Sequence, residues 1–351
     1  MAPITYLSTF VAAIVGVAGL YIGLFVYQLG APVTAEYWVH EAKIAKLFLA
    51  SQGSGQRVLI LGGSNALFGI DSGLVEKQIG VRTINLAIHG GLSLPYMFEY
   101  IKPVLRPRDV VVMPLEIEYY ASAYRYDWFR SNIMAWDPGY FRNLELLERA
   151  RFVLAVPTKR VVNGAIAQMY AAQLRRQRGR AVRDVAVITR DAIGNWQNRS
   201  YVGKPISYSL ESIDERGDMR NNRGTRYTGT ASSVLSSPFA FASDLWVSLE
   251  NFGAYCRGHD VTLFVAWPAL MTEPSLNEGN PVVTRNVAHI VSHLARARIG
   301  ILGRPQDYYL DRVNFFDTKY HLNEEGRAIR TSQLVRDLRD ALRNGGTGPT
   351  P

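Results

Sequence analysis

The stretch Arg57-Val-Leu-Ile-Leu-Gly-Gly-Ser64-Asn65-Ala66 decides the fold class of this chain. Its apolar run is short and rich in branched side chains, which is typical of a strand that is buried on both faces. The two glycines that follow permit a tight turn at the end of that strand. The stretch therefore predicts the first strand of an open α/β sheet, in which ligands bind beyond the carboxyl ends of the strands.

Strand and helix patterns alternate along much of the remaining chain. Further strands are predicted at residues 83–87, 109–113, 261–266 and 299–302, and helices at 72–79, 94–105, 245–256, 281–297 and 323–343. Such alternation indicates a parallel sheet that is covered by helices on both faces. We therefore expect a flavodoxin-like, three-layer α/β/α domain over residues 57–343, preceded by a connector at 36–56 and followed by a disordered tail at 344–351.

The alternation breaks between residues 119 and 245, where aromatic residues and arginines are frequent and strand signals are few. We interpret this region as an insertion that is added to the sheet rather than a strand-rich domain of its own. Its aromatic side chains have two interpretations, core packing or contact with a substrate or partner near the cleft. The clearest candidates are Tyr124, Tyr126, Trp128 and Trp136.

The N-terminal residues 4–29 contain no charged residue and are long enough to cross a bilayer core of roughly 30 Å as a helix. This length favours a retained transmembrane anchor, which we assign to residues 1–35. The alternative is a cleaved signal peptide, because Val33-Thr34-Ala35 has the small-x-small shape of a cleavage site. Charged residues near the helix do not decide its orientation, since Lys43 and Lys46 are offset by Glu36 and Glu41.

Charge and cysteine content exclude several classes of function. The formal net charge of +9 favours acidic partners such as phospholipid headgroups or an anionic polymer. No nucleic-acid motif is present, and the densest basic run has no interleaved aromatic residue, so it is better explained as a solvated helix face. That run comprises Arg175, Arg176, Arg178, Arg180 and Arg183. The single cysteine, Cys256, cannot complete a redox or zinc motif, and we expect no metal and no cofactor.

Two separated segments carry residues suited to nucleophilic catalysis. Ser64 follows the first strand, where a helix that begins nearby would direct backbone N–H groups toward an oxyanion. Asp317 and His321 share one short loop before the last predicted helix. A serine hydroxyl needs a base to remove its proton, and a carboxylate beside that base fixes its tautomer. These three residues therefore form a candidate catalytic triad.

This combination of a serine after the first strand and an Asp–His pair before the last helix resembles the SGNH/GDSL hydrolase superfamily. The resemblance covers roughly residues 57–113 and 261–343. The N-terminal helix and the motif His321-Leu-Asn-Glu-Glu-Gly make the chain look most like the anchored SGNH proteins of polysaccharide O-acetylation and D-alanyl transfer. The resemblance implies the fold expected above, with Ser64 as nucleophile, His321 as base and Asp317 as its acidic partner.

The sequence departs from the superfamily pattern at two places. The Gly-x-Asn-Asp block expected after the third strand is replaced by Pro114-Leu-Glu116-Ile-Glu118, and the acid and base are spaced one residue wider than usual. The expected oxyanion- and substrate-binding residues are therefore Asn65, His89, Gly90, Gly91 and Glu116. His89 either lines the cleft or is structural, and Glu116 and Glu118 either bind sugar hydroxyls or pair with arginine.

The resemblance implies acyl transfer through an acyl-serine, with O-acetylation of a cell-envelope or exported polysaccharide as the expected reaction. The expected location is the bacterial inner membrane, with the catalytic domain in the periplasm and a membrane-bound O-acyltransferase as a possible partner. Two alternatives remain. One is a carbohydrate esterase that uses water as the acceptor at the same site, and the other is a non-catalytic SGNH-like scaffold.

Overall fold

The computed structural model describes residues 2–121, 127–177, 180–231 and 233–344. The chain divides into two compact units. The anchor unit comprises Met1–His40 and Arg125–Asp184, and the sheet unit comprises Glu41–Tyr124 and Val185–Pro351. The region 119–245, which the sequence presents as one insertion, is therefore divided between the two units.

The sheet unit is built on five parallel strands in the order β2-β1-β3-β4-β6. The strands are β1 Arg57–Ile60, β2 Arg82–Asn85, β3 Val110–Pro114, β4 Thr262–Ala266, β5 Leu270–Met271, β6 Gly300–Leu302 and β7 Tyr309–Leu310. The short strands β5 and β7 pair separately. All residues of β1 and β3 are buried, as expected for central strands covered on both faces. The predicted α/β class with a parallel sheet is confirmed, and the strand order is that of flavodoxin-like sheets.

The helices alternate with these strands in the sheet unit and make up most of the anchor unit. They are α1 Ala2–Tyr27, α2 Tyr37–Ser51, α3 Ser64–Gly69, α4 Ser72–Ile79, α5 Leu94–Ile101, α6 Asp127–Trp136, α7 Pro138–Asn143, α8 Leu146–Ala155, α9 Thr158–Met169, α10 Ala171–Leu174, α11 Val185–Gln197, α12 Ser243–Gly258, α13 Pro281–Arg296 and α14 Glu324–Arg343. Local sequence explains where several of them begin and end. The Asn323 side chain caps α14, and Gly80 ends α4 in the left-handed conformation.

A buried ion pair joins the amino ends of β1 and β3. Arg57 opens β1, and its Nε donates to Asp109 Oδ1 at 2.9 Å, just before β3. Both side chains are fully buried. Removing one partner of a buried pair leaves an uncompensated charge, so loss of either side chain would destabilise this end of the sheet.

Part of the predicted insertion covers the outer edge of β2. The Asn85 N–H donates to Arg216 O at 2.8 Å. The buried Lys46 donates to the carbonyls of Asn85 at 3.0 Å and Gly217 at 2.7 Å, and also to Ala87 O. These bonds satisfy backbone groups that an edge strand would otherwise leave unpaired.

In the anchor unit, the C-terminal end of α1 packs against short helices. Phe25 is fully buried and its ring lies 5.1 Å from that of Phe141. Of the aromatic residues considered for substrate contact, Trp136 is buried in this unit, and Trp128 donates to Glu36 Oε1 at 2.8 Å. The other two, Tyr124 and Tyr126, lie outside the described residues. Core packing therefore accounts for Trp136.

Helix α1 also carries the stretch Tyr6–Tyr27, which is long and apolar enough to cross a membrane, with a mean hydropathy of 2.3. Only 6% of the most apolar part of this stretch, 18 residues long, is buried. Most of the stretch thus presents its apolar surface outward, as a lipid-facing helix does.

Candidate active site

Ser64 is the first residue of α3 and follows the carboxyl end of β1. The turn that places it depends on two glycines that approach closely. A first side-chain carbon on Gly63 would lie 2.7 Å from Gly90 Cα and would collide with the Glu116 carboxyl group. A side chain on Gly90 would bring its first carbon within 3.8 Å of Ser64 Oγ. Gly90 therefore lies close to the Ser64 hydroxyl.

Asp317 and His321 lie in direct contact. His321 Nδ1 is 2.8 Å from Asp317 Oδ1, and the other carboxylate oxygen accepts a hydrogen bond from Tyr208 OH at 2.6 Å. The backbone N–H of His321 donates to Thr318 Oγ1 at 3.0 Å, which fixes the loop between acid and base. This arrangement holds the Nδ1 proton toward the carboxylate and leaves Nε2 as the basic nitrogen.

Phe68 connects this loop to the helix that Ser64 begins. The Phe68 and His321 rings stack with centroids 4.0 Å apart and an interplanar angle of 1°. Phe68 lies four residues after Ser64, so the two residues occupy adjacent turns on one face of α3. The imidazole, which is 7% exposed, therefore stacks on a side chain that lies one helical turn after Ser64.

The electrostatics of Asp317 favour its ionised form. Burial alone would raise the pKa of its carboxyl group, but hydrogen bonds from His321 and Tyr208 outweigh burial and lower the pKa below 3.8. Asp317 is therefore negative at neutral pH and can stabilise a positive charge that forms on His321.

Glu116 lies beside the serine turn and is 5% exposed. Its Oε1 accepts from the Asn65 N–H at 3.1 Å, whereas its Oε2 has no hydrogen-bond partner among the described residues. Burial raises the pKa of Glu116, and the hydrogen bonds from Asn65 only partly oppose that rise. A buried acceptor is costly unless a donor is supplied, either by water or by a ligand.

Asn65 is held from several sides and is fully buried. Its side chain donates to Pro114 O at 2.9 Å, and Arg330 of α14 donates to its carbonyl at 2.7 Å and to its Oδ1 at 2.8 Å. Asn65 therefore positions the serine turn through the protein's own hydrogen bonds, and its side chain is not exposed toward a substrate.

The loop that carries Gly90 and Gly91 is fixed by two side chains. Gly91 N–H donates to His89 Nδ1 at 2.9 Å, so this amide is occupied within the loop. Tyr119 OH donates to Gly90 O at 3.1 Å and to Leu92 O at 3.0 Å. His89 thus has a structural role in the loop, and Gly90 is the glycine of the pair that lies against Ser64.

Glu118 contacts the loop that precedes His321, whereas Glu116 contacts the turn at Ser64. It forms an ion pair with Lys319 at 2.8 Å and accepts a hydrogen bond from Tyr320 OH. The two glutamates that follow β3 therefore differ in role. Glu116 contacts the turn that carries Ser64, and Glu118 contacts the loop between Asp317 and His321.

Three further aromatic and histidine residues make structural contacts. Trp267 is buried and donates to Gly303 O at 3.2 Å, which makes it a core residue. His289 and His293 stack on Phe241 and Trp246. Within the described part of the chain, no group of three or more His, Cys, Asp or Glu side chains is arranged to hold a metal ion.

Sequence reasoning missed three residues that shape this site, namely Phe68, Tyr208 and Arg330. Tyr208 belongs to the region interpreted as an insertion, and no local motif marks it. Phe68 lies in α3 and Arg330 lies in α14, and the sequence pattern of neither helix marks these residues as part of a site.

In comparisons with known proteins, no family model matches this chain and no curated protein is significantly similar to it.

Proposed function

We propose that this protein is a membrane-anchored, serine-dependent O-acyltransferase or esterase of the SGNH type, with Ser64 as nucleophile. The observation that carries the proposal is the bonded Asp317–His321 pair, whose imidazole stacks on Phe68 one helical turn from Ser64. A three-layer domain with its catalytic groups at the carboxyl ends of parallel strands fits this assignment.

In the proposed reaction, the Ser64 hydroxyl attacks an acyl carbonyl while His321 Nε2 accepts its proton. The leaving group then takes that proton from His321 and departs, which leaves an acyl-serine. A hydroxyl group of the acceptor next gives its proton to His321 and attacks the acyl-serine, and the proton returns to Ser64 Oγ. Asp317 remains ionised and stabilises the imidazolium in both steps.

The charge that develops on the carbonyl oxygen needs donors close to Ser64. We assign this role to the Ser64 and Gly90 backbone N–H groups, because Ser64 begins a helix and Gly90 lies against its hydroxyl. Neither Asn65 nor Gly91 is assigned to it, since both use their N–H groups within the protein.

For the acceptor we propose a sugar hydroxyl of an exported or cell-envelope polysaccharide. Support comes from Glu116 Oε2, which is a buried acceptor beside Ser64 that has no donor among the described residues. An acceptor hydroxyl would supply that donor and would be positioned for deprotonation. Water at the same place would make the enzyme an esterase.

The proposed location is a bacterial inner membrane with the sheet unit in the periplasm. The span Tyr6–Tyr27 supports membrane attachment. A membrane-bound O-acyltransferase that supplies the acyl group is the proposed partner, and this part of the proposal depends on the family resemblance.

The test is covalent labelling of the detergent-solubilised full chain by a fluorophosphonate probe, together with hydrolysis of p-nitrophenyl acetate. We expect wild type to be labelled and Ser64→Ala to be unlabelled. Ser64→Ala and His321→Ala should each reduce turnover by about 10³-fold or more, and the double variant should be little worse than either single variant, because the residues act as a unit.

Ser332→Ala is the matched control, since Ser332 is an exposed residue of α14 whose hydroxyl donates to Ala328 O in the same helix. It should be labelled like wild type. Equal labelling of the Ser64→Ala variant would disprove the nucleophile assignment, and an unlabelled but folded wild type would favour the non-catalytic scaffold.

A further inference from the structure

Helix α8 of the anchor unit exposes an apolar stripe to the surroundings. Leu146, Leu147 and Leu154 are 82%, 62% and 84% exposed, and their spacing places them on one side of the helix. The opposite side carries the buried Phe152, whose ring lies 6.4 Å from that of Phe25 in α1. One face of α8 therefore packs against the anchor, and the other presents leucines outward.

Helix α9 repeats this pattern. Its exposed apolar residues are Val162, Ile166, Met169 and the adjoining Tyr170, with exposed fractions between 43% and 71%. These positions recur at helical spacing, whereas Val161 and Ala165 on the other face are buried. Two neighbouring helices thus leave large apolar side chains in contact with their surroundings, which a soluble surface seldom does.

One hydrogen bond shows which part of α1 contacts the junction between α8 and α9. Tyr21 OH donates to Val156 O, between α8 and α9, at 3.4 Å. Tyr21 lies six residues before the end of α1, which is about 9 Å along a helix axis. The span Tyr6–Tyr27 is 22 residues long, about 33 Å, so a hydrocarbon core of roughly 30 Å needs nearly all of it. The stretch that contacts the α8–α9 junction is therefore inside or at the edge of that core.

Positive charge lies close to the end of α1, where Arg160 donates to Gln28 Oε1 at 3.0 Å. Arg160, Arg175 and Arg180 act on Tyr37, which follows α1, and they partly offset the rise in the pKa of its phenol that burial causes. Arg180 also lines an open groove of about 450 Å³ together with the apolar Ile166, Ala167 and Leu174. Apolar side chains with arginines beside them match the acyl chains and phosphate groups of a phospholipid layer.

We propose that α8 and α9 lie in the membrane interface beside α1, with their apolar stripes in the acyl-chain boundary and with Arg175 and Arg180 at anionic headgroups. The inference rests on the membrane anchor of the proposed function. A bilayer is favoured over a protein as the occupant because the stripes continue the apolar surface of α1 at the same depth. The anchor unit then contacts the membrane through three helices, α1, α8 and α9.

The experiment reconstitutes the full chain in vesicles of phosphatidylethanolamine and phosphatidylglycerol, with no other protein present. Single cysteines introduced at Leu154, Glu148 or Val15 carry an NBD fluorophore, and quenching by lipids with a nitroxide near the headgroup is measured. The native Cys256 does not interfere, since it is buried and burial raises the pKa of its thiol to about 12. Glu148 is the matched control, because it is exposed on the side of α8 away from the stripe.

We expect the label of Leu154→Cys to lose about half of its fluorescence or more, and that of Glu148→Cys about a tenth or less. The label of Ile166→Cys on α9 should be quenched as strongly as that of Leu154→Cys. Agreement between the two helices would show that the quenching is not caused by a structural change in one variant. Val15→Cys, in the middle of α1, should be protected from aqueous quenchers. If Val15 is protected but neither Leu154 nor Ile166 is quenched, the interfacial proposal is wrong while the anchor stands. If the label at Val15 is accessible to aqueous quenchers, both the interfacial proposal and the membrane anchor are wrong.

Discussion

At the scale of single residues, Glu116 is the most informative side chain near Ser64. Its buried carboxyl group has a pKa raised above 4.5, so the folded protein retains this proton to higher pH than the unfolded chain does. The folded state then binds more protons than the unfolded state between those two pKa values, and the free energy of unfolding falls as pH rises through that window. Above the window, the ionised and incompletely bonded carboxylate lowers the stability of the sheet unit.

Glu116→Gln should remove this pH dependence. The amide keeps an oxygen that can accept from the Asn65 N–H, but it cannot ionise. We therefore expect the melting temperature of the variant, relative to wild type, to increase as pH rises from about 4 to about 7. Thermal unfolding of both proteins across this range measures it. A difference that stays constant with pH would mean that Glu116 does not titrate there.

Tyr208 and Asp317 provide a second prediction at this scale. Asp317→Asn removes the charge that faces His321 and permits the wrong tautomer, so we expect turnover to fall by about a hundredfold to ten-thousandfold. Tyr208→Phe removes one hydrogen bond to the carboxylate, worth about 1 kcal/mol, and should cost about tenfold or less. The kcat values of both variants with p-nitrophenyl acetate check this order. A larger loss from Tyr208→Phe would give the tyrosine a direct part in the reaction.

At the scale of elements, α14 fixes the turn at the start of α3 through Arg330. Burial lowers the pKa of this arginine to about 10, and its guanidinium donates to both oxygens of Asn65. Arg330→Met would leave these buried acceptors without a donor, at about 1–3 kcal/mol each. We expect a loss of about 2–6 kcal/mol in the free energy of unfolding, together with reduced labelling of Ser64.

Arg339 is the matched control for this prediction, because it lies on the same helix and bonds to Gln78 at the surface. Arg339→Met should change stability by about 0.5 kcal/mol or less, as surface substitutions usually do. Chemical denaturation gives both values. Equal losses from the two variants would contradict the role of Arg330 in holding Asn65.

The elements of the sheet were predictable because each is marked by local chemistry. The strand predicted at residues 261–266 is β4 Thr262–Ala266, and the helix predicted at residues 72–79 is α4 Ser72–Ile79, which Asp71 caps and Gly80 ends. The contacts of Phe68 and Tyr208 with His321 were not predictable. They join residues 253 and 113 positions apart, respectively, and only the folded chain brings such residues together.

At the scale of the whole molecule, the fate of the N-terminal helix decides whether the protein stays in the membrane. Cleavage after Ala35 would remove Phe25 and Gln28, which are fully buried in the anchor unit. Gln28 Oε1 accepts from Arg160 Nη1 at 3.0 Å, and the Phe25 ring packs with those of Phe141 and Phe152. The loss of Phe25 alone costs about 3–5 kcal/mol by analogy with other core aromatics. A signal peptide has no such packing with the mature domain, so these contacts favour a retained helix.

The last prediction is therefore that the mature protein keeps its N-terminal residues and resists extraction by alkaline carbonate. Phe25→Ala should leave it in the membrane pellet, because the apolar span persists, but should make the anchor unit more sensitive to protease. Phe10→Ala is the control, since the Phe10 side chain is 55% exposed. It should affect neither property. Release of wild type into the carbonate supernatant with a new N-terminus at Glu36 would establish cleavage and would remove the membrane anchor from the proposed function.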